Sequence, residues 1–174
     1  MKILLTGATG YIGKRLLPNL LEAGHTVVCL VRDPRRFQEK YSNSDKVIVI
    51  KADLLDSSSL ENIPKDIDIA FYFVHSMGSA KMDFAELEAK VAENFVNAVN
   101  KTNAIQIIYL SGIINDKKEL SKHLSSRLNV ERILQTAKAN TTILRAAIII
   151  GSGSGSFEII RDLAEKLPVM ITPK

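Results

Sequence analysis

Seven residues near the N-terminus, Gly7-Ala8-Thr9-Gly10-Tyr11-Ile12-Gly13, have the types and spacing to hold a phosphate. Glycines three apart let a chain turn tightly and bring its N–H groups up to a bulky anion. A helix beginning there adds unpaired N–H donors and a dipole of the right sign. In this reading Gly7 serves the tight turn, Gly10 the approach of backbone to a pyrophosphate, and Gly13 the packing of helix on strand. Thr9, Tyr11 and Ile12 complete the cradle. The alternative is a structural glycine turn that holds nothing.

A second group lies at Arg32-Asp33-Pro34-Arg35-Arg36. In a dinucleotide-binding unit, an acidic residue after the second strand takes the ribose 2′-OH of NAD, whereas an arginine accommodates the 2′-phosphate of NADP. Arg32 falls at the discriminating place, and a guanidinium pairs bidentately with a phosphate. Arg35 or Arg36 could close over the same group. Asp33 would take the NAD role if the strand ended one residue later. NADP(H) is therefore the expected cofactor and NAD(H) the alternative. A solvated charge cluster is the competing view, more credible for Arg36 than for Arg32.

These residues need a scaffold that brings them to one edge. The 174 residues are enough for one domain, and 46% hydrophobic with 24% charged is ordinary globular composition. Apolar runs of strand type alternate with helical periods. Strands are predicted at about Lys2–Thr6, Thr26–Val31, Val47–Ile50, Ile67–Val74, Ile105–Leu110 and Thr142–Ile150. Helices are predicted at about Ile12–Ala23, stopped by Gly24, then Asp83–Thr102 and His123–Ala139. A last helix carries Phe157, Ile160, Leu163, Ala164 and Leu167 on one stripe, with Ser154 or Ser156 as its cap. Ser58-Ser59-Leu60-Glu61 fits a capping box before a brief helix. This alternation predicts an α/β, three-layer, doubly wound Rossmann sheet of parallel strands in the order 3-2-1-4-5-6. Right-handed crossovers then put the ends of the strands, Thr6, Val31, Val74, Leu110 and Ile150, at one crevice.

The spacing G-x-x-G-x-x-G, as Thr6-Gly7-Ala8-Thr9-Gly10-Tyr11-Ile12-Gly13, resembles the extended and atypical short-chain dehydrogenase/reductase (SDR) superfamily over nearly the whole chain. The resemblance implies that Asp53-Leu54 binds adenine, with a loop or cap aspartate as the plainer alternative. It puts Val74 and His75 under the cofactor ribose on the nicotinamide side, where His75 is equally readable as structural. It makes Ser111 the candidate to hold a substrate oxygen, although the family often carries that serine one residue on, where Gly112 stands. Active members complete the site with Tyr-x-x-x-Lys on the next helix. Here His123-Leu124-Ser125-Ser126-Arg127 puts His123 and Arg127 at that spacing. Histidine titrates near neutrality; arginine binds a hydroxyl but does not titrate.

The chain resembles the NmrA-like and related NAD(P)H-binding proteins of the atypical branch. The segments Tyr72–Met77, His123–Arg127 and Leu144–Lys174 resemble bacterial SDR proteins with a further C-terminal domain of unknown function. That likeness implies a substrate domain after residue 174, making this chain the cofactor-binding part of a longer protein. Two functions remain. One is an NADP(H)-dependent oxidoreductase or epimerase-like enzyme with an unidentified small-molecule substrate. The other is a dinucleotide sensor or assembly module without chemistry. FAD binding would leave Arg32 idle. The single cysteine, Cys29, makes an internal disulfide impossible and a cytoplasmic setting the expectation. The formal charge of +4 lacks the long basic stripe of a nucleic-acid binder, no apolar run spans a bilayer, and the histidines lack metal-ligand spacing. A homodimer through the two long helices is possible within the family's habits, though neither shows a clear outward apolar stripe.

Overall fold

A computed structural model describes residues 1–37, 41, 44–74, 84–113 and 121–167, the side chain of Lys122 excepted. The strands are β1 (Lys2–Thr6), β2 (Thr26–Val31), β3 (Val47–Lys51), β4 (Ile69–Tyr72), β5 (Gln106–Gly112) and β6 (Asn140–Ala146). The helices are α1 (Tyr11–Glu22), α2 (Phe84–Val99), α3 (Lys122–Leu134) and α4 (Gly155–Lys166). The strands are parallel and form one sheet in the order β3-β2-β1-β4-β5-β6, the doubly wound arrangement expected.

Side chains alternate across the sheet and build a core on each face. On one face Leu4, Val28, Ala70, Tyr72, Ile107 and Tyr109 meet Val91, Phe95 and Val99 of α2 and Val130 and Leu134 of α3. On the other, Leu5, Val27, Cys29 and Val31 meet Leu17 of α1, with Leu16, Leu20 and Leu21 packed at the margin. Each fully buried aliphatic side chain contributes roughly 1.5–3 kcal/mol, so α1 to α3 are held mainly by these stripes. Helix α1 closes at Gly24, where the Gly24 and His25 N–H groups donate to Leu21 O and Leu20 O.

Several element ends differ from the sequence expectation, because partners elsewhere set them. Strand β4 is shorter than Ile67–Val74. Its ladder with the short β1 runs only from Ile3↔Ile69 to Leu5↔Phe71, and the Phe73 N–H turns to the Thr6 hydroxyl. Strand β5 runs on to Gly112 because β6 continues beside it, pairing Ser111↔Arg145 and Gly112↔Ala146. With β5 ended, Ile148 and Ile150 have no neighbour strand and stand exposed. Helix α3 stops at Leu134 rather than Ala139, and the Thr136 hydroxyl donates back to Ile133 O in the turn that follows. The brief helix after β3 is a 3-10 turn over Ser57–Leu60 capped by Asp56, not by Ser58. Ser154 holds the cap position of α4 without a side-chain bond, and Glu158 Oε1 accepts from the Gly153 N–H instead.

Thr6 is the joint between the two halves of the sheet. Its buried hydroxyl donates to Phe71 O at 2.9 Å and accepts from Phe73 N at 3.0 Å. That ties the ends of β1 and β4 together where the strand order reverses, the place where doubly wound sheets open a crevice.

Candidate functional site

Gly7 leaves β1 with φ of +69°, and its own Cβ, if it had one, would overlap the Phe73 carbonyl. Only glycine combines that left-handed turn with so close an approach. Gly13 lies against Gly7 O and Ala8 Cα, so the first turn of α1 sits directly on the glycine turn. Gly10 is the N-cap of α1 and offers no side-chain cap, and no acidic residue occupies the first turn. The leading N–H groups of α1 therefore face the crevice uncapped by any side chain, which is the donor set an anion requires. These features fit a dinucleotide pyrophosphate.

Two open clefts flank Thr9. One, of about 360 Å³, is lined by Thr9, Arg32, Asp33 and Arg36. The other, of about 550 Å³, is lined by Thr9, Tyr11, Lys14, Arg15, Ser152 and Gly153. Tyr11 carries the Arg15 guanidinium 4.7 Å from its ring centre, and Arg15 donates to Ser152 O at 2.8 Å. The loop after β6 thus lies on the glycine turn, as a loop skirting the cofactor would. Gly151 and Gly153 run beside the Tyr11 ring, and a side chain at Gly151 would meet its hydroxyl.

At the end of β2, Arg32 and Arg36 are exposed and line the first cleft. Arg35 pairs instead with Asp33, which lines the same cleft. Its Nε and guanidinium NH2 donate to Asp33 Oδ1 and Oδ2 at 2.9 and 3.0 Å. The Arg35 backbone N–H donates to Oδ1 as well, which makes Asp33 the cap of a 3-10 turn over Pro34–Arg36. The Arg35 hydrogen bond holds the Asp33 carboxyl below the usual carboxylate range, and Asp33 in turn raises Arg35.

Asp53 follows β3 and folds an Asx turn, its Oδ1 accepting from Leu55 N. Leu54 is buried in the core, so its side chain supports the loop rather than opening on the crevice. Asn94, buried on α2, donates to Leu54 O at 2.7 Å and Leu55 O at 3.3 Å and fixes this loop from below. Val74 lies half-buried just past β4. His75 lies outside the described residues.

Ser111 lies on the α2/α3 face at the end of β5 and is 4% exposed. Its buried hydroxyl stands beside the Tyr109 phenol and the Glu131 carboxylate but makes no hydrogen bond of full geometry among the described residues. Charged and polar groups crowd it. Tyr109 sits two residues earlier, its phenol pushed up by burial, and accepts a weak 3.5 Å bond from Arg127. Burial raises the Glu131 carboxyl, but the Arg145 fork, at 3.2 and 2.6 Å, outweighs it and holds Glu131 below its ordinary value. Ser111 adds to that lowering from close by. Ser126 of α3 donates to the buried Glu88 of α2 at 2.6 Å. His123 stands exposed on the first turn of α3, edge-on to Phe84 at 4.9 Å between ring centres. So Arg127 is drawn toward Tyr109 beneath β5, while His123 packs against the start of α2.

Residues 7–169 match the model of a family described as NAD(P)H-binding. The chain belongs to that family. Among curated relatives, the mitochondrial NADH-ubiquinone oxidoreductase 40 kDa subunit of Neurospora crassa is 25% identical over 148 residues, 83% of this chain and 40% of its own length. This NAD(P)H-binding chain thus spans under half of that relative. A solved structure of an NADPH-dependent quinone oxidoreductase from Escherichia coli, complexed with NADPH, superposes with a TM-score of 0.65 at 22% identity, covering 83% of this chain and 48% of that one. A UDP-glucuronic acid 4-epimerase from Bacillus cereus, in complex with NAD, gives 0.72 at 22% identity, covering 97% and 64%. These two neighbours share the doubly wound fold, one complexed with NADPH and the other with NAD. No helix among the described residues is long and apolar enough to cross a membrane.

The roles of Arg15, Asn94 and Glu131, and the bonds of the Thr6 hydroxyl, were not expected from the sequence. Asn94 had a signal: a polar residue inside the apolar stripe of α2. Thr6 and Glu131 had none, because their partners lie far along the chain.

Proposed function

We propose that this chain is the NADP(H)-binding part of an SDR-type oxidoreductase. The observation that carries the catalytic reading is Ser111. Among the described residues its buried hydroxyl has only poorly aimed neighbours, and a buried hydroxyl without a well-made bond costs about 1–3 kcal/mol, a loss that a site tolerates when a polar ligand atom satisfies it in the complex. Ser111 then donates to a substrate oxygen at the edge where nicotinamide would lie. His123 supplies the proton and Arg127 holds a ribose or substrate hydroxyl, in the roles that tyrosine and lysine fill in the family. The cofactor when bound supplies the hydride. The residues of this chain hold its phosphates at the glycine turn and its 2′-phosphate at Arg32 and Arg36. Asp53 receives the adenine amine. NADP(H) is preferred over NAD(H) because, among the described residues, two arginines line the cleft beside Thr9 and its one carboxylate, Asp33, is paired with Arg35. The substrate domain lies in further chain, in keeping with the 40% share of the Neurospora relative that this chain covers.

A second reading, a dinucleotide-binding module without chemistry, is favoured by Arg127. It replaces the lysine of active members, and one of its guanidinium nitrogens already leans on Tyr109 through a weak 3.5 Å bond. Turnover decides between the two. The full-length protein is followed for NADPH oxidation over a carbonyl panel, beside Ser111→Ala and His123→Phe. The enzyme reading expects oxidation with at least one carbonyl and its loss in both variants, with NADPH affinity retained. Activity unchanged in both removes them from the site. NADPH binding without any turnover supports the module.

A further inference from the structure

Asp33 is the residue that argues against a phosphate in the Arg32 cleft, since a carboxylate lining the same wall would repel it and would suit a ribose hydroxyl instead. Its environment answers that objection. Asp33 accepts three bonds from one residue: the Arg35 N–H at 3.1 Å, Nε at 2.9 Å and a guanidinium nitrogen at 3.0 Å. The 3-10 turn begins at Pro34, whose ring pre-sets the backbone that folds Arg35 back onto Asp33. Both carboxylate oxygens are engaged in a planar fork, and a paired carboxylate presents little net charge to a third group.

We propose that Arg35 is a specificity-determining residue that acts through Asp33: it locks the carboxylate away from the ribose 2′-hydroxyl and neutralises it, leaving Arg32 and Arg36 to receive a 2′-phosphate. This rests on the NADP(H) reading above and deepens it. Of the three arginines, then, two are ligands and one is a positioning residue. Among the described residues that line the cleft, with Asp33 paired to Arg35, Arg32 and Arg36 carry +2. Without Arg35, Asp33 is free, and the cleft falls to +1 and gains an acceptor for a diol. Arg35 itself is 89% exposed on its side chain, so the pair does little for folding, and its effect should be read in cofactor choice rather than in stability.

Calorimetric titration of NADPH and NADH into the protein and into R35A, D33N and R35A/D33N tests this. In R35A the NADPH-to-NADH affinity ratio should fall by about tenfold, with NADH binding tighter than in the parent, since a freed carboxylate makes a charged hydrogen bond to the ribose. Adding D33N to R35A should abolish the NADH gain, while the melting temperature stays put throughout. If R35A weakens NADPH and leaves NADH unchanged, Arg35 is a direct phosphate ligand and the lock is wrong. If R35A changes neither, the lock is equally wrong. The NADP(H) reading is judged separately, by the ratio in the unsubstituted protein: equal affinities there would overturn it, whatever R35A does to them.

Discussion

Replacing Gly13 with alanine sets two physical effects against each other. Gly13 is the third residue of α1, and helix propensity alone favours alanine over glycine in a helix by about 1 kcal/mol. The added methyl, however, would overlap Gly7 O and Ala8 Cα. Those are backbone atoms of the glycine turn and cannot rotate aside as a side-chain tip can. Forcing a methyl into close-packed surroundings typically costs about 1–3 kcal/mol, so the net outcome is a destabilisation of about 1 kcal/mol despite the better propensity. The larger effect falls on the cofactor. Relief requires the first turn of α1 to lift off the glycine turn, which misaims the N–H groups that would meet the pyrophosphate. NADPH affinity should drop about tenfold or more, the worth of one or two charged hydrogen bonds. Urea unfolding, read as a lower midpoint at unchanged slope, and calorimetry with NADPH measure the two parts. A Gly13→Ala protein with a raised midpoint and full NADPH affinity would refute this account of the turn.

Thr6→Val keeps the shape but removes both bonds between β1 and β4; it should cost about 1–3 kcal/mol in urea unfolding, the Phe73 N–H and Phe71 O being left unpaired. Glu131 has its carboxyl held down in the folded state, so its contribution is present above the unfolded carboxylate range, near 4.3, and is lost as the pH falls through the lower folded value. The urea midpoint should therefore decline from about pH 5 downward, and Arg145→Met should lower the neutral-pH midpoint and flatten that decline; an unchanged slope in the variant would rule out this pair as its source. The Cys29 thiol, pushed up to about 12 by burial, should react with a thiol reagent at pH 8 only as fast as the protein unfolds; rapid labelling of the folded protein would contradict the placement of β2 in the core.

The architecture was legible because it is written in local pattern. The Val/Leu run of β2 and the stripe Leu16, Leu17, Leu20, Leu21 name a strand and a helix without reference to anything else. The glycine spacing between β1 and α1 was readable for the same reason, as was Arg32 at the end of β2. What the pattern did not carry were features decided by distant partners. The end of β4 depends on how far β1 reaches, and the end of β6 on where β5 stops. Ser111 was expected past its strand; β6 beside it draws it into the ladder and buries it. The division of labour among Arg32, Arg35 and Arg36 was also hidden, because it turns on a short 3-10 fold that sends Arg35 to Asp33 while its neighbours face the cleft. The apolar stripe of α4 was read from the sequence, yet among the described residues none of it is buried, and Ile160, Leu163 and Leu167 stand exposed.

The central claim is that a dinucleotide lies across the glycine turn with its adenosine end at Arg32. Hydrogen exchange with and without saturating NADPH tests it most directly. Protection concentrated in the amides of Tyr11, Ile12 and Gly13, with a second zone at Arg32 to Arg36, is the expected result. Saturating NADPH that leaves those amides exchanging at their free rate, with protection elsewhere, would contradict the account.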